Sequence, residues 1–255
     1  MRYFIELAYK GTNYHGWQYQ PGADSVQENL NKALSLLLKT DIDIVGAGRT
    51  DTGVHAKQMF AHFDFETEIN EPQLVHKLNS FLSKDIVVFN IRKVADEAHA
   101  RFDATKRTYE YHIHTMKDAF ENEGSYQVQL PLDVEKMNEA CGILLKHNDF
   151  ECFSKVNTDV KTFNCVIFEA HWTRGGAEQS GAKQDGNKLV FTIAADRFLR
   201  NMVRAIVGTM INIGTGKISL ADFEKILDSK DRSQAGFSVP AQGLYLTKIE
   251  YEYLK

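Results

Sequence analysis

Apolar and polar residues alternate along several short stretches of the chain, and this two-residue period predicts β-strands. The first stretch, RYFIELAY at 2–9, lies almost at the N-terminus. The same criterion predicts further strands at residues 57–66, 85–94, 106–114, 160–172, 188–195 and 244–253. Alternate side chains of a strand point to one side. One face of the strand from 106 therefore carries Arg107, Tyr109, Tyr111 and Ile113.

Five other segments repeat apolar residues at helical spacing. The first helix is predicted to follow Ser25, which opens the capping pattern SVQE, and to continue to residue 38. The other predicted helices cover residues 71–82, 132–145, 198–213 and 220–227. On the helix from 198, the spacing i, i+3, i+7 predicts one basic stripe at the border of an apolar arc, formed by Arg197, Arg200 and Arg204.

Strands and helices do not alternate strictly, which favours an α+β fold over a doubly wound parallel sheet. We expect a central, mostly antiparallel sheet that is flanked by helices and shared by two halves. The predicted halves are residues 1–104 and 105–255, with a cleft between them. The Gly-rich, polar stretch at 174–188 is predicted to be a flexible hairpin loop of little functional weight.

The composition is that of an ordinary globular protein, with 255 residues, 43% apolar and 25% charged. No apolar run reaches the roughly 20 residues of a membrane helix, and the N-terminus does not read as a signal peptide. Three cysteines without a C-x-x-C pair predict a reduced compartment, taken here as the cytoplasm. The net charge of −4 does not indicate a nucleic-acid binder. A local basic cleft can nevertheless act on an acidic body.

The stretch GAGRTDTGVHA (46–56) concentrates glycines around Asp51. One interpretation is a tight turn in which Asp51 accepts backbone hydrogen bonds, and this is the common role of a lone aspartate in such a loop. The other is a reactive carboxylate, which the neighbouring Arg49 keeps ionised as a nucleophile. No Gly-Lys-Ser/Thr follows, so the stretch is not a phosphate-binding P-loop.

Two further segments allow a structural and a functional interpretation. The arginines of the helix from 198 form a solvated edge, or they bind a carboxylate or RNA phosphates through the guanidinium fork. The tyrosines of the strand from 106 belong to the core, or one ring stacks on a flipped base. Lys106 and Arg107 lie just before these tyrosines, and they are the residues of this segment that indicate contact with a phosphate.

Metal and nucleotide sites find little support. His112 and His114 share a strand face and His62 could lie near them, but no third ligand has metal spacing. Neither a nucleophile elbow nor a dinucleotide-binding glycine motif is present. The residues alone thus indicate an α+β protein with an unusual Arg/Asp loop.

Five segments resemble the TruA-type tRNA pseudouridine synthases. GRTDTGVHA (48–56) is similar to their catalytic motif, and YKGTNYHGWQYQP (9–21) to their opening segment. The others are FDATKRTYEY (102–111), FLRNMVRAIVG (198–208) and GLYL (243–246). They occur in family order over nearly the whole chain. One departure is GFSVPAQGL (236–244), where family members often carry an Ala-Pro-like segment.

The resemblance implies a role for several residues. Asp51 corresponds to the catalytic aspartate, which acts as a nucleophile or base at uracil C6, at ribose C1′ or on the C2′ proton. Arg204 corresponds to the arginine that pairs with this aspartate, and Arg49 to the one that displaces the target base. Tyr109 corresponds to the tyrosine that packs on the flipped uracil, and Leu244 to a leucine of the uracil pocket. For RNA contact we add Lys106, Arg107 and Arg200.

The resemblance also implies a substrate and an assembly. Such enzymes isomerise uridine to pseudouridine at positions 38, 39 and 40 of the tRNA anticodon stem-loop. They need no cofactor or metal, and they are typically homodimers in which each tRNA contacts both subunits. Two alternatives stay open: a non-catalytic RNA-binding protein on the same scaffold and a metal-dependent hydrolase.

Overall fold

The computed structural model describes residues 1–156, 160–175 and 187–254, so most of the predicted hairpin loop at 174–188 lies outside the described residues. The strands are β1 Arg2–Tyr9, β2 Val45–Gly46, β3 His55–Asp64, β4 Ile86–Val94, β5 Ala104–His114, β6 Tyr126–Gln127, β7 Ile167–Arg174, β8 Lys188–Ala195 and β9 Leu244–Tyr251. The α-helices are α1 Val26–Leu38, α2 Glu71–Phe81, α3 Val134–Leu144, α4 Met202–Gly214 and α5 Leu220–Ser229.

The strands form a mixed, mostly antiparallel sheet, which confirms the α+β prediction. Their order is β4-β1-β3-β9-β5-β8-β7, with β2 paired to β3 and β6 paired to β5. The pairs β1–β3, β1–β4, β2–β3 and β7–β8 are antiparallel. β9 runs parallel to β3, and β6 runs parallel to β5. Periodicity predicted every element longer than three residues but missed the two-residue strands β2 and β6.

Two predicted boundaries are wrong, each for a local reason. The strand predicted from 160 begins only at Ile167, because the residues before it bond to the chain near 149 instead. Phe150 N donates to Phe163 O (3.1 Å) and Cys165 N donates to Asn148 O (2.9 Å). The helix predicted from 198 begins only at Met202, because the preceding Asn201 has a left-handed φ of 69°.

The later start of α4 overturns the predicted basic stripe. Arg197 and Arg200 lie before the helix, and of the three arginines only Arg204 is a helical residue. The spacing i, i+3, i+7 therefore does not place the three side chains on one helix face. Nearly every residue of α4 is buried, as expected of a helix that is apolar on all sides.

The chain divides into two compact units, Met1–Arg107 with Tyr245–Lys255, and Thr108–Leu244. In the first unit, α1 begins at a Ser25 cap that accepts a hydrogen bond from Glu28 N and buries Val26, Leu30, Ala33 and Leu34. In the second unit, a reciprocal capping box between Ser219 and Asp222 starts α5.

The second unit also holds the three cysteines, all of them free and buried. Burial raises the pKa of each of their thiols to about 12.

His62 is a buried histidine of the first unit. Its Nδ1 accepts a hydrogen bond from Ala100 N (3.2 Å), which requires an unprotonated ring nitrogen. Burial and the nearby guanidinium of Arg2 lower the pKa of His62 from 6.5 to about 4. The unfolded chain therefore binds a proton between these two values that the folded protein excludes.

We predict that His62 makes the protein sensitive to acid. The stabilisation is fully present above pH 6.5 and is lost as the pH falls from 6.5 to about 4, with an upper limit of roughly 3 kcal/mol. His62→Asn keeps an acceptor near Nδ1 but does not titrate, so its free energy of unfolding should fall less over this range. Urea unfolding at pH 4 to 7 measures the difference. The exposed His76→Asn is the control, and an identical slope for His62→Asn and wild type would contradict the prediction.

Candidate active site

Asp51 lies in the first unit, on the loop that connects β2 to β3, and is half-buried. A turn follows it directly, closed by the hydrogen bond from Val54 N to Asp51 O (3.1 Å). Gly53, the third residue of this turn, has a φ of +80°, the left-handed conformation that type II turns require at this position. The glycine-rich sequence therefore forms a turn, as predicted, and the turn fixes the backbone that carries Asp51.

The chain near residues 9–17 holds this loop from one side. Trp17 N donates to Thr50 O (3.3 Å), and Gly53 N donates to Tyr14 O (3.3 Å). The hydroxyl groups of Tyr9 and Thr50 share a hydrogen bond of 2.9 Å. Residues on both sides of Asp51 are thus tied to the segment that follows β1.

Glycine is required where these two stretches meet. A Cβ on Gly16 would overlap the carbonyl oxygen of Thr50, and one on Gly11 would overlap that of Val54. Gly16 also has a φ of +86°. The Asp51 loop therefore packs backbone against backbone, a contact that leaves no room for a side chain.

The far end of the loop is supported by aromatic rings. His55 Nδ1 accepts a hydrogen bond from Gly11 N (3.0 Å), and the His55 ring stacks on Tyr245 at 4.6 Å. Lys57 Nζ lies 5.2 Å from the centre of the same tyrosine ring. The parallel pairing of β3 with β9 brings these residues together.

The basic residues of the first unit differ in their surroundings. Arg49 is exposed, and within the described ranges no ion pair joins its guanidinium to a carboxylate. Lys106 Nζ lies 3.5 Å from the Glu250 carboxylate, and each of these two side chains is about one-third exposed. Arg49 can therefore meet an anionic ligand without first breaking an ion pair, whereas Lys106 would have to share its charge.

Arg107 is bound to the main chain. Its guanidinium donates to the carbonyl oxygens of Ala104 (3.1 Å), Ala47 (3.1 Å) and Arg101 (2.7 Å). Ala47 is the residue that precedes the glycine-rich turn toward Asp51. Arg107 therefore braces the base of the Asp51 loop, a role that strand periodicity could not indicate.

Arg204 lies in the second unit, in the first turn of α4. Its Nε donates to Val239 O (2.7 Å), and Val239 N donates back to Arg204 O (3.2 Å). Gly208 and Gly236 allow this close approach, because a Cβ on either would overlap the opposite backbone. The segment around Val239 is thus packed tightly on α4.

The same segment contacts β5 through Tyr111. The Tyr111 hydroxyl donates to Pro240 O (2.7 Å), and a Cβ on Gly243 would collide with the Tyr111 ring. Burial raises the pKa of Tyr111, and the positive charge of Arg204 opposes that rise. Leu244, the next residue after Gly243, is buried at the start of β9.

Tyr109, two residues before Tyr111, is half-buried and meets the edge of Phe198 at 5.1 Å. Phe198 belongs to the non-helical stretch before α4. Arg200 is exposed in the same stretch. In the second unit, Arg204 and Tyr111 therefore bind the adjacent carbonyl groups of Val239 and Pro240, Leu244 follows this segment, and Tyr109 contacts Phe198.

The two histidines of β5 contact different partners. His112 Nε2 lies 2.9 Å from a Glu110 carboxylate oxygen, and His114 Nδ1 lies 3.0 Å from the Ser125 hydroxyl. Among the described residues, no group of three or more histidine, cysteine or acidic side chains could hold a metal ion. In the same residues, no helix has the length and apolarity needed to cross a membrane.

Known proteins match this chain along almost its entire length. A family model described as tRNA pseudouridine synthase matches residues 7–103 and 140–252. A tRNA pseudouridine synthase A from Bacteroides fragilis is 51% identical over 251 residues, which are 98% of this chain and 96% of that protein. One from Porphyromonas gingivalis is 49% identical, covering 98% and 97%. A tRNA pseudouridine synthase A 2 from Clostridium perfringens is 39% identical, covering 97% and 98%. The chain therefore belongs to the tRNA pseudouridine synthase family of isomerases.

Proposed function

We propose that this protein converts uridine to pseudouridine at positions 38, 39 and 40 of the tRNA anticodon stem-loop, with Asp51 as the catalytic carboxylate. The observation that carries the proposal is the loop of Asp51, which resembles the family's catalytic motif and in which residues before and after Asp51 are tied by backbone contacts to residues 11–17. A reactive group held by rigid surroundings loses little freedom on reaching the transition state.

The reaction exchanges one bond for another. The bond between uracil N1 and ribose C1′ breaks, the uracil turns, and a bond forms between C5 and C1′. The proton on C5 leaves to water and N1 gains a proton, so atoms and electrons balance without a redox cofactor. Asp51 serves as nucleophile or base, and a duplex base must leave its stack before the carboxylate can reach it.

The remaining residues supply binding and charge. Arg204 compensates the negative charge of Asp51, since an ionised carboxylate away from water needs a partner. Tyr109 packs on the flipped uracil and Leu244 lines its pocket. Arg49 displaces the target base, and Lys106 and Arg200 contact phosphates. For Arg107 we propose RNA contact only as a secondary role, because three carbonyl groups already occupy its guanidinium.

We further propose that the protein acts in the cytoplasm as a homodimer and that one tRNA contacts both subunits. The overall charge of −4 opposes tRNA binding, so the exposed arginines have to act locally. Binding should accordingly weaken as the salt concentration rises.

The reaction itself predicts release of hydrogen from uracil C5. Incubation of the purified protein with tRNA that carries tritium at C5, without added cofactor, should release tritium into water. The substrate should be a tRNA with uridine at position 38, 39 or 40. No release above background from any such tRNA would contradict the proposed function.

Asp51→Asn should fold normally and lose essentially all tritium release, because an amide is neither a nucleophile nor a base of comparable strength. Thermal unfolding checks the fold, and the exposed Asp41→Asn is the matched control that should remain active. Equal behaviour of wild type and Asp51→Asn in every assay would instead indicate a non-catalytic RNA-binding protein.

Gly16→Ala tests the backbone contact under the loop. Gly16 and Gly22 both have positive φ values, of +86° and +77°, so alanine costs about 1 kcal/mol of backbone strain at either position. Only at Gly16 does the new Cβ meet Thr50, whereas nothing lies within 4 Å at Gly22.

We expect kcat/KM for tRNA to fall at least a hundredfold in Gly16→Ala and to stay within threefold of wild type in Gly22→Ala. Displacement of a catalytic group by about 1 Å is enough for the larger loss. Equal kcat/KM values for the two variants would show that the contact does not position Asp51.

A further inference from the structure

Phe102 is an aromatic side chain of the first unit that the proposed reaction does not use. It is 74% exposed and lies in the loop between β4 and β5. Arg101 is exposed beside it, with the centre of its guanidinium 5.6 Å from the Phe102 ring. The His99 ring lies 4.3 Å from the Phe102 ring, tilted by 36°. We call His99, Arg101 and Phe102 the aromatic platform.

Hydrogen bonds hold the backbone of the platform in one shape. His99 Nδ1 accepts from the main-chain N–H groups of both Arg101 (3.1 Å) and Phe102 (3.3 Å). Asp103 Oδ2 accepts from His99 N (2.7 Å), and His99 O accepts from Asp103 N (3.1 Å). Burial lowers the pKa of His99, which favours the neutral ring that can accept these bonds.

The residue between His99 and Arg101 is fixed as well. Ala100 N donates to His62 Nδ1, and Ala100 O accepts a hydrogen bond of 2.5 Å from the Tyr251 hydroxyl. These polar side chains hold the loop, yet the side chain at its tip is an apolar ring in water. Rigid presentation lowers the entropy that a ligand contact would otherwise cost.

Arg107 connects the platform to the Asp51 loop. One nitrogen of its guanidinium, Nη2, donates both to Arg101 O in the platform and to Ala47 O at the base of the loop. The platform and the catalytic loop therefore share one side chain as a brace. A molecule whose target base lies at Asp51 therefore has this platform one bracing side chain away from the loop that carries Asp51.

We propose that the aromatic platform binds an unpaired or splayed nucleobase of the substrate tRNA, which stacks on Phe102 while Arg101 contacts a nearby phosphate. Every base has a π-face, so stacking on a phenyl ring tolerates different sequences. An exposed ring beside an arginine also matches the two features of RNA, base and phosphate. This inference rests on the proposed function, because it takes tRNA as the ligand.

Exposure alone does not distinguish Phe102, since Phe89 on β4 is 54% exposed. Phe89 belongs to a regular strand, and among the described residues no cation lies over its ring. Phe89→Ala is therefore the matched control, an exposed phenylalanine of the same unit without the features of the platform.

Binding is measured with the protein in its inactive form, so that turnover does not interfere. Asp51→Asn, alone and combined with Phe102→Ala, Phe102→Trp or Phe89→Ala, is titrated with a fluorescent anticodon stem-loop RNA. Loss of one stacked base corresponds to roughly a tenfold or larger rise in Kd. We expect this rise for Phe102→Ala and unchanged Kd values for Phe102→Trp and Phe89→Ala.

Phe102→Trp adds a direct signal of stacking. Trp17 and Trp172 are buried, at 2% and 3% exposure, so the new indole is the exposed tryptophan. RNA should quench its fluorescence. In the catalytically intact protein, Phe102→Ala should raise KM for tRNA about tenfold and leave kcat within twofold, whereas a merely structural defect would lower kcat and the unfolding temperature.

An unchanged Kd for Phe102→Ala, or absence of quenching in Phe102→Trp, would overturn the platform proposal. A shift of Phe102→Ala from dimer to monomer in size-exclusion chromatography with unchanged Kd would also overturn it, because a second copy of the chain would then cover the ring. Failure of wild type to release tritium contradicts the proposed function instead, and the RNA titration remains a separate measurement.

Discussion

The contact on which the Asp51 loop depends is one between two stretches of backbone. The chain after β1 lies so close to residues 50–54 that neither Gly11 nor Gly16 could carry a Cβ. Backbone atoms have few ways to move, so this contact fixes the position of Asp51 more firmly than side-chain packing would. The Tyr9–Thr50 hydrogen bond and the Arg107 brace add support around the same loop.

The second unit uses the same principle at a different place. Glycines in α4 and in the segment around Val239 bring two main chains together, and the Arg204 guanidinium completes the contact by binding Val239 O. In each unit a proposed functional group therefore lies in or beside a segment that is neither helix nor strand: Asp51 in the loop before β3, and Arg204 against the segment around Val239. The neighbouring helices and strands hold these segments in place. Irregular segments can place single side chains where a regular period would not.

Much of the fold could be predicted from the sequence, because long periodic segments such as β1 and α1 bury one face or stripe. The two wrong element boundaries have local causes that the spacing of apolar residues does not indicate. The left-handed Asn201 delays α4, and hydrogen bonds near Asn148 delay β7. The roles of Asp51, Tyr109 and Arg204 are predictions that follow from the resemblance alone. The roles of Gly16, Arg107 and Phe198 were missed, since each depends on a tertiary contact; the sequence signal for Gly16 was its place in the opening segment YKGTNYHGW.

The division of the first unit has a consequence for how the protein is made. Its last strand, β9, is separated from its parallel partner β3 by the whole second unit. Because the chain is made from its N-terminus, the edge of β3 that pairs with β9 stays unpaired until β9 has been synthesised, whereas Thr108–Leu244 is a continuous stretch. The ring of Tyr245 can stack on the ring of His55 only after β9 has been synthesised, so this support of the Asp51 loop forms after Thr108–Leu244 has been made.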